Sequence, residues 1–97
     1  MDYCVLLTRS AARDLEHIYD YIAEHDLPQN ADYMLDRLEA VIDGLCHFPN
    51  RGSIPKELLA LGIREYREVH FKPYHIIYRM MEGSIYVYLI ADGRRDI

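Results

Sequence analysis

Cysteine, proline and glycine are scarce in this sequence, and their scarcity excludes several classes of protein. The 97 residues include two cysteines, four prolines and five glycines. So few prolines and glycines exclude a disordered or collagen-like chain. Cys4 and Cys46 lie far apart and form no C-x-x-C pair, so we expect reduced, partly buried thiols of a cytoplasmic protein rather than a disulfide.

Long apolar runs are also missing. No run approaches the roughly 18 residues that cross a bilayer, and the first ten residues lack the basic and apolar segments of a secretory signal. We therefore expect neither membrane insertion nor secretion. The chain has 51% hydrophobic and 28% charged residues, which is typical of a single globular domain, placed here over residues 1–97.

Positive charge is sparse in the first half of the chain. Residues 1–47 carry three arginines against ten carboxylates, a net charge of −7, whereas residues 48–97 carry eight arginines or lysines against six carboxylates, a net charge of +2. Any surface that binds an anion must therefore come from the second half. Two solvated faces of opposite sign are the alternative interpretation.

The apolar spacing of the first half predicts a strand followed by two helices. Residues 3–8 alternate as a strand does and are apolar on both faces, so we expect this strand inside a sheet rather than at its edge. Apolar stripes at three- and four-residue steps predict helices over residues 10–25 and from Pro28 to Leu45. Their short connection makes an antiparallel helical hairpin.

The second half changes to a period of two after an irregular stretch at residues 53–62. Three alternating segments follow, separated by turn signals at Lys72-Pro73 and at residues 82–84. In the last segment Ile85, Val87 and Leu89 are expected to share one face and Ile90 to lie on the other. We predict an α+β fold of order β-α-α-β-β-β, with the helical hairpin packed on one face of a mainly antiparallel four-stranded sheet.

The candidate chemistry lies in the predicted sheet. Its alternation puts Glu68, His70, His75 and Arg79 on the face away from the helices, where the arginines at 94 and 95 could join them. Such a set could act on a phosphodiester, one group deprotonating the attacking hydroxyl and the arginines stabilising the phosphate. The alternative is the ordinary solvated side of an antiparallel sheet.

Known motifs of enzymes and metal sites are absent from the sequence. There is no P-loop, no G-x-S-x-G, no H-E-x-x-H and no cysteine or histidine spacing of a metal site. We therefore expect no cofactor and no metal. Five tyrosines in the sheet segments could stack on bases, although strand tyrosines more often suit a half-buried pleated surface.

Six segments of the chain have a recognisable order and spacing: residues 7–15, 18–23, 48–52, 63–68, 73–79 and 92–96. In this arrangement nearly the whole chain resembles the RelE/ParE superfamily of toxins from bacterial type II toxin–antitoxin systems. The resemblance implies an intracellular toxin that a cognate antitoxin neutralises in a hetero-oligomeric complex.

The superfamily has two branches with different targets. RelE-like members are ribosome-dependent endoribonucleases that cut mRNA, whereas ParE-like members poison DNA gyrase without the nuclease residues. The long helical hairpin and the ending Gly93-Arg94-Arg95-Asp96 resemble the ParE-like branch. Inhibition of DNA gyrase by binding is therefore the leading hypothesis.

A RelE-like nuclease is the alternative hypothesis, with the ribosome and mRNA as partners. Arg95 matches a RelE-like arginine, but His75 replaces another arginine, and Glu68 and His70 stand at about the positions of the usual lysines. The sequence to Ile97 shows no counterpart of the C-terminal catalytic residue. If the protein is an enzyme, the resemblance assigns catalysis to Arg95, His75, His70 and Glu68. A decayed member that only binds antitoxin is the third hypothesis.

Overall fold

A helical hairpin lies against one face of a sheet, as predicted, with one short helix added to the expected order. The computed structural model describes residues 3–93. Its elements are β1 (Cys4–Leu7), α1 (Arg9–His25), α2 (Pro28–Gly44), α3 (Lys56–Ala60), β2 (Tyr66–Phe71), β3 (Tyr74–Met81) and β4 (Ser84–Asp92). The predicted α+β fold is confirmed. The added α3 has only five residues, too few to display a helical stripe in the sequence.

Within the described residues, four strands form one mixed sheet in the order β1-β4-β3-β2. β3 pairs antiparallel with β2 and β4, whereas β1 pairs parallel with β4. The expectation that β1 lies inside the sheet is wrong, because β1 is an edge strand with Leu6 and Leu7 42% and 37% exposed. Apolar residues on both faces of a strand indicate what its faces contact, not how many strands it pairs with.

Local capping determines where the two long helices begin. The Thr8 side chain accepts a hydrogen bond from the Ala11 N–H at 3.2 Å, which satisfies a first-turn donor of α1. Pro28 lies in the first turn of α2, where the missing N–H has no intrahelical partner to lose. Between the helices, the Tyr19 hydroxyl donates to Asp32 at 2.7 Å, and this hydrogen bond raises the pKa of Tyr19.

The core lies between the helical hairpin and the sheet. Leu38 of α2, Tyr78 of β3 and Ile85 of β4 have no exposed surface. The buried residues of the sheet are Val69, Tyr74, Ile76, Tyr78, Ile85, Val87 and Ile90. In β2 and β3 these are the positions that the predicted alternation turns toward the helices.

A β-bulge changes the alternation in β4. The pairing with β3 shifts register in the middle of the strand, so Ile85, Val87 and Ile90 all enter the core. The expectation that Leu89 continues this face, with Ile90 opposite, is therefore wrong. The pairing of β1 with β4 ends at Val87. Farther along β4, the Ile90 N–H donates to Asp14 Oδ2 of α1 at 2.9 Å, so a helix side chain satisfies this strand donor.

The cysteines and the helices bear on two of the compositional expectations. Both thiols are free, but Cys4 is exposed and only Cys46 is partly buried. Partial burial of both thiols was expected, and it is wrong for Cys4 because this residue lies on the edge strand β1. Among residues 3–93, no helix has the length and apolarity that a membrane span requires.

The turn at residues 48–52 is fastened to the sheet by a buried tyrosine. The Tyr78 hydroxyl donates to the carbonyl oxygen of Pro49 at 2.7 Å and accepts from the Gly52 N–H at 3.0 Å. Burial raises the pKa of Tyr78, and the hydrogen bond from Gly52 opposes part of that rise. One hydroxyl thus links the connection after α2 to the middle of β3.

Removing this hydroxyl will destabilise the fold. We expect Tyr78→Phe to lower the free energy of unfolding by about 1–3 kcal/mol, because Pro49 and Gly52 each lose a hydrogen-bond partner in a partly buried place. The matched control is Tyr33→Phe, whose ring is exposed and whose effect should stay within about 0.5 kcal/mol. Urea unfolding measures both variants, and equal stabilities would contradict a role for the Tyr78 hydroxyl.

The same hydroxyl predicts a loss of stability in alkali. Because the folded-state pKa lies above the ordinary tyrosine value of about 10, both states hold the proton at lower pH. The unfolded state releases it first as the pH rises. The free energy of unfolding should therefore fall from about pH 10 toward the folded-state pKa. Urea unfolding across this range should give a shallower fall in Tyr78→Phe, and parallel curves would contradict the shift.

Candidate functional site

The outer face of the sheet, defined as the face turned away from the helices, carries the candidate residues from β2 and β3. A two-residue turn joins these strands, and their register pairs His70 with His75 and Glu68 with Ile77. Because alternate residues of a strand share a face, Glu68 and His70 lie beside His75. We call Glu68, His70 and His75 the outer-face cluster.

The Glu68 carboxylate is the centre of the outer-face cluster. Its Oε1 lies 3.0 Å from Nε2 of His70, and its Oε2 lies 3.5 Å from Nδ1 of His75. The two imidazole rings have centroids 4.3 Å apart and planes tilted by 58°. Each carboxylate oxygen thus faces a different imidazole, and the three side chains form one connected group.

Exposure decreases from His70 to Glu68 within this cluster. The side chains of His70, His75 and Glu68 are 52%, 34% and 16% exposed. A small molecule can therefore reach the imidazoles, while the carboxylate that orients them is largely covered. Two imidazoles with a carboxylate are a donor set for a divalent transition metal.

A glycine after β4 leaves space for the His75 ring. A Cβ atom at Gly93 would collide with Nε2 and Cδ2 of that ring. The Gly93 N–H donates to the carbonyl oxygen of Pro73 at 2.6 Å, which ties the end of β4 to the turn between β2 and β3. The shape of the cluster therefore depends on a residue outside both of its strands.

Arg79 lies on the outer face but contacts a different group. It stands four residues from His75 along β3, about 13 Å at the rise of an extended strand. Its guanidinium lies 5.8 Å from the Tyr66 ring centroid, and Tyr66 packs edge-on against Tyr88 at 5.6 Å. Arg95, the remaining catalytic candidate, lies outside the described residues, as does Arg94.

The sheet tyrosines divide between the two faces. Tyr74 and Tyr78 are buried in the core, so they cannot stack on a base. Tyr66, Tyr86 and Tyr88 are half-buried on the strands. The structural interpretation thus holds for two of the five, and base stacking stays a hypothesis for the others.

Arg67 and Ser53, which the sequence did not single out, connect the segment at residues 52–53 to β2 beside the cluster. Arg67 donates from Nη1 to the carbonyl oxygen of Gly52 at 2.7 Å. Next to it, Ser53 and Glu68 exchange two backbone hydrogen bonds of 3.0 and 2.7 Å. The turn signal at residues 48–52 was visible in the sequence, but the strand onto which it folds was not.

The expectation of no metal site was based on sequence spacing alone. Strand pairing brings together a carboxylate and two imidazoles that are separated along the chain. One potential ligand atom from each of Glu68, His70 and His75 lies within 4.8 Å of the other two. A cross-strand histidine pair on either side of a short turn, with Glu-x-His before it, is the signal that could have indicated this group.

Together these features define a small α+β protein whose helical hairpin covers one face of a mixed sheet and whose other face carries the outer-face cluster. Toxin ParE3 of Caulobacter vibrioides is 28% identical over 93 residues, which cover 96% of this chain and 89% of that protein. A chain in the solved structure of the chromosomal ParDE TA system from P. aeruginosa has the same fold, with a TM-score of 0.78. That match covers 93% of this chain and 95% of the other at 22% sequence identity.

The family follows from the match along the sequence. Residues 5–97 match the family described as the ParE toxin of type II toxin-antitoxin system, parDE. The protein therefore belongs to the ParE toxin family, on the branch of the RelE/ParE superfamily that the sequence resembles most.

Proposed function

We propose that this protein arrests growth by binding DNA gyrase and inhibiting it. The observation that carries the proposal is the match of residues 5–97 to the ParE toxin family, because inhibition of gyrase is the function of that family. The match spans both the helical hairpin and the sheet.

The protein is the toxin of a type II pair, and its partner is an antitoxin. The similar chain from P. aeruginosa comes from a structure of a ParDE TA system. Co-expression of the antitoxin should therefore abolish growth arrest, whatever the target of the free toxin.

The surface charge of the helical hairpin favours a protein target over ribosomal RNA. Seven carboxylates of α1 and α2 are exposed: Glu16, Asp20, Glu24, Asp32, Asp36, Glu39 and Asp43. An acidic surface of this extent repels a phosphate backbone, whereas affinity for nucleic acid depends on neutralising phosphates. Docking into ribosomal RNA through the hairpin is thus unfavourable.

A gyrase assay tests the proposal directly. With excess purified toxin, we expect DNA supercoiling by gyrase to fall and gyrase–DNA cleavage complexes to accumulate, and expression without antitoxin should induce the SOS response. The toxin–antitoxin complex at the same concentration is the matched control and should leave supercoiling intact. Normal supercoiling with excess free toxin would rule out gyrase as the target.

A ribosome-dependent mRNA endoribonuclease is the second candidate function, and the outer-face cluster favours it. The carboxylate–imidazole distances of 3.0 and 3.5 Å give an acid–base group on an accessible face, which a hydroxyl attack on phosphate requires. Arg95 would supply the positive charge that this chemistry needs beside the phosphate.

Substitutions in the cluster separate this candidate from gyrase inhibition. If the protein is a nuclease, codon-phased mRNA cleavage on ribosomes should fall about 10²–10⁴-fold in His75→Ala, and Arg95→Ala should also lose cleavage. His17→Ala, on the exposed surface of α1, is the matched control and should cleave as the unsubstituted protein does. Growth arrest with no detectable mRNA cleavage would eliminate the nuclease.

A further inference from the structure

The outer-face cluster has ligand atoms in an arrangement that resembles a metal centre. Hairpin pairing sets His70 directly opposite His75, and Glu68 stands two residues before His70 on the same face. All three side chains extend from regular strands rather than loops. Their backbone positions are therefore fixed by the hydrogen bonds of the ladder, and only side-chain rotation is needed to adjust the ligand atoms.

The spacing of these atoms is close to that of zinc ligands. Nitrogen and oxygen ligands bind zinc at about 2.0–2.2 Å, so neighbouring ligands of a tetrahedral site lie about 3.3 Å apart. Oε1 of Glu68 lies 3.0 Å from Nε2 of His70, and Oε2 of the same carboxylate lies 3.5 Å from Nδ1 of His75. The ligand atoms of all three residues lie within 4.8 Å of one another. Small rotations of the side chains bring them to one ion.

The donor types select the class of ion. Two imidazoles suit zinc, copper, nickel and iron, whereas magnesium and calcium prefer oxygen ligands alone. Two histidines and one glutamate are also a known set for zinc sites that keep a fourth position for water. Because the His70 side chain is 52% exposed, solvent can reach such a position. A cation between the imidazoles and Glu68 would also balance a carboxylate that is only 16% exposed.

We propose that Glu68, His70 and His75 bind one divalent transition-metal ion, for which zinc is the probe. The ion joins β2 to β3 on the outer face and keeps at least one coordination position open to water. This site does not depend on the target of the toxin, because it rests on the geometry of one hairpin.

Calorimetric titration of the tag-free, full-length protein with zinc tests the proposal. We expect one zinc per chain, no detectable binding of magnesium, and a higher Tm in the presence of zinc. His70→Ala and Glu68→Gln should each weaken zinc binding at least about tenfold, because even residues that only orient a ligand contribute that much. His17→Ala removes an exposed histidine of α1 that is not part of the cluster and should bind zinc as the unsubstituted protein does.

A second measurement locates the ion. Binding of paramagnetic cobalt should broaden the NMR signals of the His70 and His75 rings and leave those of the His17 ring sharp. His70 is exposed, so its alanine variant should fold, and circular dichroism verifies this. Absence of zinc binding would overturn the proposal. Zinc binding that persists unchanged in His70→Ala and Glu68→Gln would overturn it as well.

Discussion

Replacing Gly52 with alanine should destabilise the protein by about 3 kcal/mol, at the upper end of the usual range for overpacking. A Cβ atom at this position would lie 2.5 Å from the carbonyl oxygen of Glu68 and 2.9 Å from both its carbonyl carbon and the Tyr78 hydroxyl. Two of the three atoms belong to the backbone of β2, which cannot rotate away. The turn at residues 48–52 must therefore move off the sheet.

Such a displacement breaks several contacts at once. The Gly52 N–H loses the Tyr78 hydroxyl, and the backbone pairing between Ser53 and Glu68 is strained. For a domain of this size, about 3 kcal/mol lowers Tm by roughly 12–24 °C. Calorimetric scanning measures this shift.

Gly44→Ala is the matched control for Gly52→Ala. Gly44 is the last residue of α2, and a Cβ atom there would meet only the end of the Arg51 side chain, at 3.7 Å. Since alanine is favoured over glycine in a helix by up to about 1 kcal/mol, this variant should be as stable as the unsubstituted protein or slightly more stable. A Gly52→Ala variant as stable as Gly44→Ala would show that the turn does not pack against β2 as described.

Truncation of Leu38 to alanine should have a similarly large effect, about 3–4 kcal/mol. Leu38 has no exposed surface and belongs to the core between α2 and the sheet. Its loss removes apolar contacts and leaves a cavity whose walls are helices and strands that cannot close around it. Because a whole domain is stable by only about 5–15 kcal/mol, this loss is a large part of the total and should raise the unfolded fraction more than a hundredfold.

Leu61→Ala provides the control for Leu38→Ala, because Leu61 is 74% exposed and its truncation should change stability by less than about 0.5 kcal/mol. Urea unfolding gives both values. In cells, Leu38→Ala should lose toxicity through loss of folded protein, whereas Leu61→Ala should accumulate normally. Similar urea midpoints for the two variants would contradict the position of Leu38 in the core.

The outer-face cluster shows how far sequence reasoning reaches in this fold. The alternation of β2 and β3 was sufficient to predict that Glu68, His70 and His75 share the face away from the helices. It did not predict that each carboxylate oxygen faces one imidazole, because these distances depend on hairpin register and side-chain rotation. The separation of Arg79, which lies against Tyr66 instead, was likewise not visible in the alternation.

The wrong expectations about the faces of β4 and the position of β1 have physical causes. The bulge in β4 inserts one residue into the period of two, so Ile90 is buried where the sequence pattern turned it outward. β1 lies at the edge because it pairs only with β4. This pairing depends on contacts across the whole fold and not on the pattern of β1 itself.

The sequence by itself determined the helical hairpin, the number of long elements, the acidic first half and the family, because periodicity, charge and motif order are properties of the chain. Only the tertiary structure decided which strand lies at the edge of the sheet and how the turn at residues 48–52 locks onto β2. It also decided that Glu68, His70 and His75 meet as one group. These features depend on contacts between residues distant along the chain, and a strand's own pattern does not state its neighbour or its register.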